Sequence, residues 1–180
     1  MVFRLKSATS IPDQDGLKRL GAKVRNRLDA DPQIHKVPVE AAEVYTMGGF
    51  LDPGECFRLV AMIDGVAQPS TLYSDFMQPD YRTSYSANLD HWDPMVQMIQ
   101  RRIDDLLGIP PEFGETIQGQ RYEPGQQYRE HCDWFPTNTE HWKAERKRGG
   151  QRSWTSMIFL NDVEEGGHTE FPNLGVKVTP

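Results

Sequence analysis

The chain has 180 residues, long enough for one domain with a full core, and its 37% hydrophobic and 10% aromatic content excludes a disordered or low-complexity protein. Its 26 acidic against 20 basic residues leave a net charge of −6, which argues against a general nucleic-acid binder with a basic excess. Two cysteines in unlike contexts, Cys56 and Cys132, exclude a disulfide framework and point to a reducing compartment. The first ten residues lack the apolar core of a secretory leader, and no stretch approaches the roughly 18 apolar residues of a membrane-spanning helix. The expected location is cytoplasmic, with no membrane partner and no nucleic-acid partner.

From Gln14 to Ala30, Leu17, Leu20, Val24 and Leu28 recur at three- and four-residue steps, which predicts a basic amphipathic helix. Its lysines and arginines read as a solvated face. Residues 29–40, "DADPQIHKVPVE", place Pro32 and Pro38 close together and read as a linker. A second helix is expected at "LDPGECFRLVAMIDG". There Asp52 is the N-cap, Pro53 takes the first helical position and Glu55 completes a capping box. Cys56, Leu59, Val60 and Ile63 form its inward stripe and Gly65 its end. Asp93 and Pro94 start a third helix, with Met95, Ile99, Ile103 and Leu106 on one face and Gly108 closing it.

Beyond Glu115 the pattern changes to strands. "ETIQGQRYEP" and "QQYREHCDWF" meet at the turn dipeptide Pro124-Gly125. "SWTSMIFLND", "GGHTEF" and "GVKVTP" follow as further strands. Helices first and strands afterwards predict an α+β fold, with helices packed on an antiparallel sheet or barrel. The charged stretch containing Lys143, Arg146, Lys147, Arg148 and Arg152 against Glu145 reads as a solvated loop.

On a strand, residues i and i+2 point the same way, so His131 and Asp133 would face together and Cys132 would face away. An imidazole beside a carboxylate is a natural metal clamp. A lone H-x-D is nevertheless a weak signal, and most such triplets are surface pairs. Tyr122 and Tyr128 flank this one, and Trp134 and Phe135 supply apolar walls.

"QRYEPGQQYREHCDWF", followed by "GGQRSWTSMIFLNDVEEGGHTEFPNLGVKVTP", closely resembles the catalytic region of prolyl 4-hydroxylases. "FLDPGECFRLV", "YRTSYSANL" and "GETIQGQRYEPGQ" are similar to the same family, so the resemblance runs from about Val44 to Pro180. It implies a double-stranded β-helix (jelly-roll) core with N-terminal helices packed on it. Residues 1–40 would form an N-terminal helix and linker, and residues 41–180 the dioxygenase domain. It also implies Fe(II), 2-oxoglutarate, O2 and ascorbate as cofactors, and a proline-containing peptide or protein as substrate, with succinate and CO2 released. His131 and Asp133 would be two members of a 2-His-1-carboxylate triad, which leaves positions open on iron. Tyr122 and Thr155 would contact the cosubstrate; Arg82, Ser84, Glu115 and Arg152 would contact the peptide. Phe159 departs from the family's frequent tyrosine, and His168 stands where glutamate is common.

The family's distal histidine and its 2-oxoglutarate-anchoring lysine lie further along. The expectation is that both, with the last strands of the jelly roll, fall beyond Pro180. Two rival readings stay open: an oxygenase of the same fold acting on another side chain or a small metabolite, and a non-catalytic peptide-binding module.

Overall fold

The computed structural model describes residues 1–5, 11–71 and 80–180. In chain order the elements are β1 (Val2–Leu5), α1 (Gln14–Leu28), β2 (Ile34–Lys36), β3 (Tyr45–Met47), α2 (Pro53–Val66), β4 (Gln68–Pro69) and β5 (Tyr85–Asn88). Then come α3 (Pro94–Leu107), β6 (Gln118–Arg121), α4 (Glu140–Arg148), β7 (Gln151–Thr155), β8 (Thr169–Phe171) and β9 (Val176–Val178). The fold is a mixture of helix and sheet, as the pattern of the sequence implied. None of the described helices is long and apolar enough to cross a membrane. The chain divides into two compact units, each interleaved in sequence: Met1–Ala30 with Leu89–Gln118 and Glu130–Met157, and Asp31–Asn88 with Gly119–Arg129 and Ile158–Pro180.

In the first unit, β1 pairs antiparallel with β7, with Val2 opposite Thr155, Phe3 opposite Trp154 and Arg4 opposite Arg152. The register shifts after Phe3, and the Ser153 hydroxyl donates to the Phe3 carbonyl there. Phe3 is fully buried, so this short strand is anchored by an aromatic side chain as well as by its ladder. Helix α1 packs on α3, its Val24 and Leu28 are buried, and Arg27 of the basic face donates to the carbonyls of Asp105 and Leu106. That places a cation on the exposed carbonyls at a helix C-terminus, a favourable position against the helix dipole. Gly108, at φ +65°, ends α3 in the left-handed conformation, and a Cβ there would strike the Arg27 side chain.

The buried face of α3 is Val96, Ile99, Ile103 and Leu107, with Gln100 and Asp104 between them. This corrects the expected face, since Met95 and Leu106 sit at its margins, only half-buried. Of the sequence segments read as loop or linker, two are structured. Most of the charged stretch, up to Arg148, forms α4, because Thr139 accepts the Trp142 N–H and fully buried Trp142 anchors the first turn, while Arg152 lies in β7. Residues 34–36 form β2, paired with β3, while Pro32 and Pro38 flank the strand without interrupting it.

In the second unit, α2 begins as expected. The Asp52 carboxylate accepts from the Glu55 N–H, and the Glu55 carboxylate from the Asp52 N–H. The helix runs through Gly65 to Val66, and Glu55, Leu59 and Ile63 are its buried residues, with Cys56 and Val60 half-buried. It packs on the three-stranded sheet β4-β5-β6. The hairpin β8-β9 pairs Thr169 with Val178 and Phe171 with Val176. Two expected strands are shorter than the sequence pattern suggested. β7 stops at Thr155 instead of continuing through Leu160, and "QQYREHCDWF" contributes only an isolated bridge at Tyr128.

Two outcomes follow from this packing. A Cβ on Gly119 would lie 2.2 Å from Cγ1 of buried Ile63. Gly119→Ala should therefore cost about 1–3 kcal/mol of unfolding free energy, with a smaller loss in an Ile63→Ala background. Denaturant titration reads both, and an unchanged midpoint for Gly119→Ala would contradict the packing.

Asp104 is buried with Oδ2 lacking a hydrogen-bond partner. Burial pushes its carboxyl above the usual range, assisted by Asp105 and Glu112 and opposed by the hydrogen bond from Gln100. The folded state thus binds this proton more readily than the unfolded state. Stability should fall as pH rises through the window between the unfolded and the raised folded value. Asp104→Asn should remove that slope and be the more stable protein at neutral pH, the gap closing in acid. Melting curves across pH would show it.

Candidate metal half-site and polar cluster

His131 and Asp133 lie in the stretch between the Tyr128 bridge and α4, where the backbone has no regular structure. The expectation of a strand here is corrected, yet the two side chains do meet. His131 Nε2 lies 3.5 Å from Asp133 Oδ1, and the side chains are 31% and 47% exposed, so both remain open to a ligand from solution. Neighbouring Cys132 and Trp134 are exposed as well.

What strand pairing does not supply, β7 supplies with side chains. Gln151, buried at the start of the strand, accepts the Phe135 N–H on Oε1 at 2.8 Å and donates from Nε2 to the Phe135 carbonyl at 2.9 Å. Arg152 Nη1 donates to the Asp133 carbonyl at 3.1 Å. Thr155 Oγ1 donates to Asp133 Oδ2 at 3.2 Å. The Phe135 ring is buried, with the guanidinium carbons of Arg152 and Arg4 at 4.7 and 5.0 Å from its centre and the His141 ring edge-on at 5.0 Å.

Glu115 and Arg152, expected to face a peptide, form a two-pronged pair: Nε to Oε1 and Nη2 to Oε2, both 2.9 Å. This is the fork geometry in which arginine holds a carboxylate most firmly. Arg4 adds a second cation 3.4 Å from Glu115 and is itself bonded to Glu145 of α4. The hydrogen bond from His131 holds the Asp133 carboxyl below the usual range; burial works against it, and the charge on His131, Thr155 and Arg152 support it.

With ligand distances of roughly 2.1 Å, as for zinc, two neighbouring ligands of one ion stand about 3 Å apart. The observed 3.5 Å between Nε2 and Oδ1 closes to that with a small side-chain rotation. The donor chemistry, neutral imidazole plus carboxylate, suits iron. Among the described residues no group of three His, Cys, Asp or Glu side chains forms.

In the second unit lies a separate polar cluster with Tyr122, Arg82 and Ser84. Arg82 donates from Nε to Ser84 Oγ at 3.2 Å and from Nη2 to Ser86 Oγ at 2.9 Å. Its guanidinium lies over the Tyr128 ring, 4.5 Å from the centre. Ser70 Oγ joins both serines at 3.0 and 2.7 Å. The Tyr122 hydroxyl donates to Gln120 Oε1 at 2.9 Å. Burial pushes its pKa above the usual tyrosine range, while Ser84 and Arg82 act in the other direction, so the phenol stays a donor at neutral pH. In this unit Arg82, Ser84 and Tyr122 share one neighbourhood; in the other, His131, Asp133, Thr155, Glu115 and Arg152 share theirs. Gln151 and Arg4 were not legible as site residues, because their partners lie 16 and 141–146 positions away.

Residues 117–179, which include His131 and Asp133, match the model of the 2OG-Fe(II) oxygenase superfamily. The chain is similar to prolyl 4-hydroxylase 1 of Arabidopsis thaliana, 37% identical over 139 residues that cover 73% of this chain and 47% of that protein. It is also similar to the probable prolyl 4-hydroxylase 8 of the same plant, at 36% over 68% of this chain and 42% of the relative. A putative prolyl 4-hydroxylase of Acanthamoeba polyphaga mimivirus is 30% identical over 76% of this chain and 56% of its own length. The chain thus spans about half the length of these relatives. Matching motifs across most of the chain, with the H-x-D pair inside the matched segment, make it a member of the prolyl 4-hydroxylase family of 2OG-Fe(II) oxygenases.

Proposed function

We propose that the full-length protein is an Fe(II)- and 2-oxoglutarate-dependent dioxygenase that hydroxylates a prolyl residue in a peptide or protein, releasing succinate and CO2. The observation behind this reading is the pair His131 and Asp133, side by side and open to solution, inside the segment that matches the oxygenase superfamily. The family resemblance supports a double-stranded β-helix core. Two free thiols, Cys56 and Cys132, support a reducing, cytoplasmic setting.

His131 Nε2 and Asp133 Oδ1 would hold the iron, which supplies the oxidising power for breaking a carbon–hydrogen bond when cosubstrate and dioxygen are bound. Ascorbate is the reductant expected to keep it ferrous. Every other role falls to the chain. Tyr122 offers a phenol proton to the oxoacid, and its raised pKa keeps that proton in place. Thr155, beside the half-site, lines the cosubstrate edge. Arg82 and Ser84, already linked by a hydrogen bond, offer donors to peptide carbonyls. Glu115 and Arg152 hold each other, so a peptide that used them would share the fork without breaking it.

The test is turnover by the full-length protein with Fe(II), 2-oxoglutarate, ascorbate and a pool of proline-containing peptides. The expected result is succinate formation matched by one added oxygen on proline, falling to background in His131→Ala and Asp133→Ala. Oxygen on another residue or on a small molecule would move the substrate assignment. Peptide binding without turnover would replace the enzyme with a binding module.

A further inference from the structure

We propose that Thr155 is a positioning residue for the metal half-site: its hydroxyl anchors Oδ2 of Asp133 and so keeps Oδ1 turned toward His131. The inference rests on the reading of His131 and Asp133 as metal ligands.

A terminal carboxylate turns easily, because its last torsion is broad and only two-fold. Asp133 is also half-exposed and stands on backbone with no ladder partners. Left to itself it would spend little time with one oxygen facing Nε2 of His131. Three residues of β7 remove that freedom in two steps. Gln151 and Arg152 hold the main chain, clasping Phe135 by both its polar groups and Asp133 by its carbonyl. Thr155 then holds the side chain, with Oγ1 3.2 Å from Oδ2.

Thr155 is well placed for this because its own backbone is fixed. It stands opposite Val2 in the β1-β7 ladder, next to fully buried Phe3. It is β-branched, so few side-chain rotamers compete with the bonded one. The division of labour also gives a clean experiment. Gln151 and Arg152 are tied to buried Phe135 and to Glu115, so their loss would disturb the fold. Thr155 is exposed and its loss should leave the fold intact.

The probe is Co(II) under anaerobic conditions, titrated into the full-length protein without cosubstrate and followed by its ligand-field absorption. Thr155→Val keeps the shape and removes the donor. It should raise the Co(II) dissociation constant about tenfold or more, the scale at which loss of a group that holds a ligand is felt. Thr155→Ser should bind close to wild type, and Thr155→Ala should lose affinity as the valine variant does. Unfolding midpoints of the metal-free proteins should coincide. Equal affinity in Thr155→Val and wild type would overturn the proposal, as would a serine variant as weak as valine. If wild type, His131→Ala and Asp133→Ala take up Co(II) alike, the ligand assignment itself fails, and the positioning role with it.

Discussion

Asp133 sits on a stretch of backbone without a ladder partner, and side chains from one neighbouring strand keep it in place. Everything proposed for the half-site depends on that clasp by Gln151, Arg152 and Thr155. β7 is a competent anchor because β1 pairs along its length and Phe3 buries a ring beneath the ladder. A loop carries the proposed ligands, but a strand fixes them. This arrangement reconciles exposure of the donors with a defined geometry, since buried backbone polar groups are satisfied behind a face that stays open.

Electrostatics tighten the same frame. The chain is acidic overall, yet two guanidiniums, Arg4 and Arg152, converge on Glu115 and on the Phe135 ring. Arg4 continues to Glu145, so β1, β7 and α4 are joined through one set of charges. Ion pairs that leave water add little net stability, because desolvation offsets attraction. Their contribution here is direction: a fork accepts one approach, and that approach places Arg152 under the Asp133 carbonyl. Arg152 therefore serves two partners from one side chain.

The features legible in the sequence were those set by near neighbours. The caps at Asp52 and Asp93 and the closing Gly108 were readable because each involves contacts within a turn of helix. Helix α4 was not, because its charges hide the one buried aromatic, Trp142, that fastens it. β2 was passed over because Pro32 and Pro38 look disruptive until the pairing shows that they flank the strand. His131 and Asp133 meet as the two-residue spacing suggested, but side-chain bonds from β7 account for it where strand alternation was expected. Gln151 carried no local signal at all, because its role exists only once Phe135 is brought to it.

The most direct measurement of the central claim is pulsed electron paramagnetic resonance on the full-length protein loaded with Mn(II), using isotope-labelled histidine. If His131 and Asp133 are ligands, an imidazole nitrogen coupling appears in the wild type and the part due to His131 vanishes in His131→Ala, while Asp133→Asn weakens metal retention. A spectrum identical in wild type and His131→Ala would place the metal elsewhere and contradict the account.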